Sequence, residues 1–308
     1  GIKLSGIPHK IDLKRAYGDE SQSRIFLRNW KENNTDLIFT IGTKGTIWAM
    51  EEIKDIPIVF SAVTDPVASG IAKSWQSSGA NVTGSSNWIE FKNKVSIFKE
   101  AVPGLKRLGV IYLPENPVPM AEVVCARDCS AETGVDLIEA PIHGIEEIEE
   151  ALESLMTQGI DALWIPIEEV LYKNLSIVGR ITHPARLPVV SSTLEAQKNS
   201  PGGAVAMVSV TVDYESLGRL CVPAAIEILT KGKDPGDIPI ITSDRYYVTI
   251  NINAADFIRH QIPPIFLAKA DNVLRGFAGQ KIVVGGTGDS QDLLREVAEI
   301  LEDQLGGG

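Results

Sequence analysis

Cysteine, histidine and positive charge are all scarce in this chain. Its 308 residues include three cysteines, Cys125, Cys129 and Cys221, and four histidines, His9, His143, His183 and His260. The cysteines are odd in number and form no CxxC pair, which argues against a disulfide framework. Cys125 and Cys129 are expected one helical turn apart, as buried thiols. The histidines are isolated and lack metal-ligand spacing, so no metal and no other cofactor is expected. Lys and Arg number 29 against 40 Asp and Glu, a net charge of −11. That balance disfavours nucleic acid and anionic membrane surfaces as partners. No run of about 18 apolar residues occurs, so no helix is expected to span a membrane. Catalytic signatures are missing too: there is no G-x-S-x-G and no nucleophile with a partner histidine. Gly286-Thr287-Gly288 is neither a dinucleotide fingerprint, because Gln291 stands where a third glycine belongs, nor a Walker loop.

What remains is an α/β pattern of globular composition, 44% hydrophobic and 22% charged, long enough for two domains. The stretch from Asp36 to Gly70 sets the grammar. Asp36–Ile41 and Ile56–Ala62 are short, continuous apolar runs, as expected of strands buried on both faces under helices. Each gives way to small polar residues: Gly42-Thr43, then Thr64-Asp65-Pro66. Ligands of open α/β sheets bind outside the carboxyl ends of the strands, so these turns are expected to line a cleft.

The same grammar continues along the chain. Helices are expected over Ser21–Lys31, Glu90–Ala101, Met120–Thr133, Ile145–Gln158, Val170–His183 and Glu215–Lys231. Strands are expected over Leu108–Leu113, Val135–Ala140, Asp161–Ile165, Leu187–Val190 and Ala204–Val212. Ile2–Leu4 and Ile11–Leu13 read as one or two further strands, and Tyr246–Ile252 alternates like an edge strand. Near the end, Lys281–Gly285 reads as a strand and Ser290–Leu305 as a helix, before Gly306-Gly307-Gly308. A strand–helix unit there looks like a beginning rather than an end. We therefore expect it to supply a first βα unit to the first lobe, in a circularly permuted or otherwise unusual order of a standard fold. The expected lobes are 1–84 with 213–232 and 281–308, and 88–205 with 246–275. The hinge is expected near 85–87 and 206–213.

Several segments, in order, resemble the substrate-binding components of ABC transporters, in the group related to tryptophan- and phenylalanine-binding lipoproteins. They are DLIFTIGT (36–43), DIPIVFSAVTDPVASG (55–70), NVTG (81–84), KRLGVIYLPEN (106–116), IDALWIP (160–166), LPVVSS (187–192), VDYESLGR (212–219) and YVTININAADFIRHQIPP (247–264). SAVTDPV together with NVTG is the specific part. The resemblance implies two three-layer α/β lobes with parallel sheets, of periplasmic binding protein type I, joined by a hinge. It implies capture of an amino acid or related small acid for an ABC permease, with no catalysis, by a monomer located in the periplasm or on the cell surface as a lipoprotein. An enzyme or a sensory ligand-binding domain on the same scaffold is the alternative.

Carried over position by position, the resemblance implies ligand contacts from Thr43, Ser61, Thr64 and Asp65 in the first lobe. From the second it implies Asn116, Glu168, Ser192 and Thr193, with Asp213 near the hinge. Hydroxyls and helix N-terminal amides suit a carboxylate; Glu168 or Asp213 suits an ammonium. Each hydroxyl or Asp is equally suited to a helix cap or turn. Asn87 lies at the crossover, and Trp88 is the tryptophan best placed to stack on a ligand. Thr287, Asp289 and Ser290 face the cleft if 281–305 is the first βα unit. Two departures stand out. Thr193 replaces an Asp frequent in the group, and Lys44-Gly45 replaces Pro-Ala. The segment 286–295 looks more like the opening of phosphate-type binding proteins.

Overall fold

A computed structural model describes residues 10–197 and 203–275. In chain order the first elements are α1 (Glu20–Glu32), β1 (Ile38–Ile41), α2 (Thr43–Glu52), β2 (Ile58–Val63) and β3 (Val82–Ser86). Then come α3 (Phe91–Ala101), β4 (Arg107–Tyr112), α4 (Pro117–Asp128), α5 (Ser130–Thr133), β5 (Asp136–Pro141), α6 (Ile148–Thr157), β6 (Ala162–Ile165), α7 (Glu169–Lys173), α8 (Leu175–Ala185), β7 (Val189–Ser191) and β8 (Val208–Thr211). The remainder is α9 (Tyr214–Leu220), α10 (Val222–Lys231), β9 (Ile241–Thr242), β10 (Tyr247–Asn251), α11 (Ile252–Phe257), α12 (Pro264–Leu267) and β11 (Asn272–Leu274).

These strands build two sheets. The smaller is parallel throughout, in the order β1-β2-β3-β9. The larger runs β11-β10-β8-β7-β6-β4-β5 and is parallel except where β10 meets β8. Strands buried on both faces need an apolar residue at nearly every position, and successive side chains serve opposite layers. In β2, Ile58 and Phe60 pack with Leu27, Ala49 and Ile53 beneath α1 and α2, while Val59 packs with Cys221, Ala224 and Ile228 of the α9–α10 side. In the larger sheet, Leu108, Val110 and Trp164 pack with Phe91, Phe98 and Val123 of α3 and α4. Ile111, Leu163 and Ile165 pack with Leu152, Leu155 and Val178 of α6 and α8 on the other face. Each sheet is thus the middle of three layers.

Among the described residues the chain passes between the sheets three times, each time from a strand's carboxyl end: after β3 into α3, after β8 into α9, and after β9 into β10. The helix caps follow from local chemistry. Asp19 accepts the Gln22 N–H at 2.9 Å and starts α1, and Asn116 accepts from Val118 N–H at the head of α4. Gly42, at φ 85°, makes the turn into α2, a conformation most side chains resist.

Several expectations need correction. Ile11–Leu13 belongs to no strand. Tyr247–Asn251 is not the edge of its sheet, because β11 pairs outside it. The helix expected over Glu215–Lys231 is two, parted at Cys221 before Pro223. Beyond α10, Ile238 O accepts the Thr83 hydroxyl at 2.9 Å, and the chain goes on to add β9 to the smaller sheet. Ile2–Leu4, the unit at 281–305 and with it Thr287, Asp289 and Ser290 lie outside the described residues.

Candidate functional site

The crossovers leave both sheets from strand carboxyl ends, and the sequence places short polar turns at those ends. On the smaller sheet, the turn after β1 presents Thr43, buried, whose Oγ1 accepts the Thr64 N–H at 3.3 Å. Thr64, also buried, gives its carbonyl to the Ser86 hydroxyl at 2.8 Å. One strand back, β2 bulges against β3 between Phe60 and Val63, and Ala62 takes a left-handed φ of 60°. A bulge re-aims the end of its strand, and strain of this kind gathers at functional turns. Gly84 opposite has no room for a side chain: a Cβ there would lie 1.9 Å from the Phe60 carbonyl oxygen.

On the larger sheet, the turn after β6 holds Glu168, 1% exposed. Its carboxylate accepts from Val170 N–H at 3.2 Å, Leu113 N–H at 3.5 Å and Asn116 Nδ2 at 3.2 Å. Burial pushes the Glu168 carboxyl above its usual range, against these donors and against the Lys44 ammonium, which acts on it from the smaller sheet's turn. Glu168 and Lys44 therefore belong to one electrostatic neighbourhood, although they stand on different sheets. Ser192 accepts the Trp164 indole N–H at 3.0 Å and keeps its own proton to donate. Thr193 accepts the Glu195 N–H at 3.2 Å.

Between the sheets, Asn87 donates to the Tyr214 hydroxyl at 3.5 Å, and its buried Oδ1 has no partner among the described residues. Tyr214 exposes 46% of its surface, yet burial around its hydroxyl raises its pKa. Tyr172, on α7, is pushed up to about 12, first by burial and then by the fields of Glu169, Glu195, Tyr214 and Glu168. Glu168 caps the helix that carries Tyr172, and the two lie close enough for the carboxylate to act on the phenol. Tyr214 directly follows the capping Asp213, which was the available signal for it. Lys44 stands out in sequence only as a departure from the Pro-Ala of the related group.

Other expected contacts have duties of their own. Ser61's hydroxyl meets Ser85's at 3.2 Å, and Ser85 meets the Cys221 thiol at 3.2 Å and donates to Leu217 O. Ser61 thus faces the α9–α10 layer. Asp65 accepts from Val67 N–H at 2.9 Å and Ala68 N–H at 3.0 Å, as a turn former does. Asp213 caps α9, accepting from Glu215 N–H, Ser216 N–H and the Ser216 hydroxyl; the last holds its carboxyl below the usual range. Trp88's indole donates to Glu90 at 3.1 Å. Trp88 lines two cavities of about 630 and 590 Å³, each shared with Asp65 and Glu90. Neither takes in Thr43, Thr64, Asn116, Glu168 or Ser192. Trp88 and Asp65 thus flank those two cavities, while Glu168 and Tyr214 act on Tyr172, Asn116 bonds Glu168, and Asn87 bonds Tyr214. Cys125 and Cys129 are free thiols a helical turn apart and half-buried. Among the described residues no cluster of His, Cys, Asp and Glu suits a metal ion.

Comparison with known proteins gives a consistent result. Residues 1–274 match the family described as ABC transporter substrate binding protein. A tyrosine-binding protein of Clostridioides difficile (strain R20291) is 31% identical over 242 residues, covering 79% of this chain and 68% of that one. A ligand-free, open substrate-binding protein with adhesive properties from Clostridium difficile superposes with a TM-score of 0.70 at 26% identity, over 88% of this chain and 89% of that one. A domain from Streptococcus pneumonia solved in complex with L-Trp superposes with a TM-score of 0.74 at 24% identity, over 86% and 88%. At that identity the likeness concerns the fold alone.

Proposed function

This chain belongs to the ABC transporter substrate-binding protein family, and from that premise we propose that it captures an aromatic α-amino acid between its two lobes, outside the cytoplasm, for delivery to an ABC permease. The observation that carries the reading is the pairing of chemically opposite turns across the gap. The smaller sheet offers Lys44, the Thr43 and Thr64 hydroxyls and the head of α2, which suit a carboxylate. The larger offers the buried Glu168 carboxylate, and the crossover offers the unpartnered Asn87 Oδ1. Both suit an ammonium, and a buried carboxylate that lacks a cation is costly to keep ionised. Tyr172 and Tyr214 supply flat walls for the side chain. The similarity to a tyrosine-binding protein supports the same ligand class.

The crossovers at 85–87 and 206–213 act as the hinge about which the lobes close. Thr64 and Ser192, one from each sheet, both contact the ligand. Isothermal calorimetry against L-tyrosine, L-tryptophan and L-phenylalanine, with the decarboxylated amines and deaminated acids as controls, tests the reading. Stoichiometric binding of the amino acids without chemical conversion is expected. Equal affinity for tyramine and tyrosine, or turnover of any of them, would sink it.

A further inference from the structure

Lys94 and Glu122 form an ion pair in the interface between α3 and α4, with their side chains 4% and 1% exposed. Their neighbours Phe91, Val95, Phe98, Val123 and Ala126 are apolar core. Removing two charges from water is expensive, and a packed apolar pair would hold two helices at least as well. Stability therefore does not explain this pair. Its second bond does: Glu122 Oε1 meets Lys94, while Oε2 accepts the backbone N–H of Ile167 at 2.6 Å.

Ile167 stands directly before Glu168 in the turn after β6. Pro166 before it has no N–H to anchor. The same turn is gripped from α4 a second time, because Asn116 at the head of that helix donates to the Glu168 carboxylate. Two groups on α4, six residues apart, thus fix the backbone and the side chain of one turn. An apolar residue at 122 would fill the space and leave the half-buried Ile167 N–H without its Glu122 acceptor.

We propose that Glu122 is a positioning residue for ligand capture, holding the 166–168 turn so that Glu168 points into the gap, with Lys94 as its counter-charge. The inference rests on the reading of Glu168 as the ammonium partner. Its test includes a measurement made without any ligand.

Two double variants of the full chain separate positioning from packing. Lys94→Met with Glu122→Gln removes both charges and keeps an amide oxygen for Ile167. Lys94→Met with Glu122→Leu removes the acceptor as well. Amide exchange at Ile167 in the free protein is expected to quicken at least about tenfold in the Leu variant and to stay near the parent rate in the Gln variant. L-Tyrosine affinity is expected to fall about tenfold in the Leu variant alone, with both melting near the parent temperature. Should the Leu variant not fold, Lys94→Met with Glu122→Met carries the same expectation. Unchanged Ile167 protection without the acceptor overturns the proposal, as does an equal loss of affinity in the Gln and acceptor-free variants. If the parent protein binds no L-tyrosine, the proposed function fails, and the exchange measurement still decides whether Glu122 anchors the turn.

Discussion

The turn after β2 and the turn after β6 are built on the same strand–turn–helix grammar and end as chemical opposites. In the first, hydroxyls and backbone groups satisfy one another: Thr43 with Thr64, Thr64 with Ser86. In the second, a carboxylate is buried among neutral donors, and a second carboxylate with its lysine braces the backbone beside it. Topology dictates only that both turns follow strand carboxyl ends. In the function proposed above, which wall takes the negative end of a ligand and which the positive is decided by a few side chains at strand ends. The neutral wall is shaped by backbone strain at Ala62 and Gly84; the charged wall is shaped by electrostatics. The two walls should therefore fail in different ways.

The largest effect is expected where the neutral wall depends on backbone contact. Gly84→Ala puts a methyl group on the Phe60 carbonyl, a backbone clash that no rotamer relieves. Urea unfolding should show a loss of more than about 3 kcal/mol, or no folded protein. A loss under about 1 kcal/mol would show that β2 and β3 part easily and that the bulge is not rigid.

Next comes the charged wall. Glu168→Gln keeps the shape and removes the charge, so amino-acid affinity is expected to fall about a hundredfold, or about 2.7 kcal/mol. Stability should hold or rise, since burial disfavours the carboxylate. Unchanged affinity by calorimetry would remove Glu168 from the site.

The same carboxylate sets a pH dependence. Its folded pKa is raised above the usual 4.5, so between those two values the native state binds more protons than the unfolded chain, and stability of the free protein falls as pH rises. A bound ammonium favours the ionised form. Affinity should therefore decline, and ligand uptake should release protons, as pH drops through the raised value. Affinity measured from pH 7 to pH 4.5 that stays flat would contradict this.

Thr64→Ala combined with Ser192→Ala removes one hydroxyl from each wall. About tenfold weaker binding without unfolding is expected, each lost hydrogen bond contributing roughly 1 kcal/mol. Equal binding would assign both hydroxyls to turn structure. Lys44→Met should have the smallest effect, about threefold and fading in salt, because Lys44 is exposed and its field is screened. A loss as large as that of Glu168→Gln would make Lys44 a direct ligand contact instead.

Much of the fold was legible because buried parallel strands must be apolar at every position, so Ile58-Val59-Phe60 and Leu163-Trp164-Ile165 show in composition alone. The caps at Asp19, Asn116 and Asp213 were legible for a similar reason: a helix start needs a side-chain acceptor within three residues. Harder to see was which polar residue at a strand end faces the gap. Ser61 and Thr64 lie three positions apart, and nothing in their types reveals that a bulge turns Thr64 toward the turn while Ser61 faces α9. The two-residue β9 was too short for any periodicity, and β11 has no apolar burial to announce it.

Local chemistry along the chain decided which segments are strands, which residues cap helices and where polar turns fall, because each depends on neighbours within a few positions. Tertiary structure alone decided that Lys94 and Glu122 meet in a core, that Glu122 reaches Ile167, and that Lys44 acts on Glu168 from another sheet. Those pairings join residues 28, 45 and 124 positions apart, and their energies exist only once folding has removed the water between them.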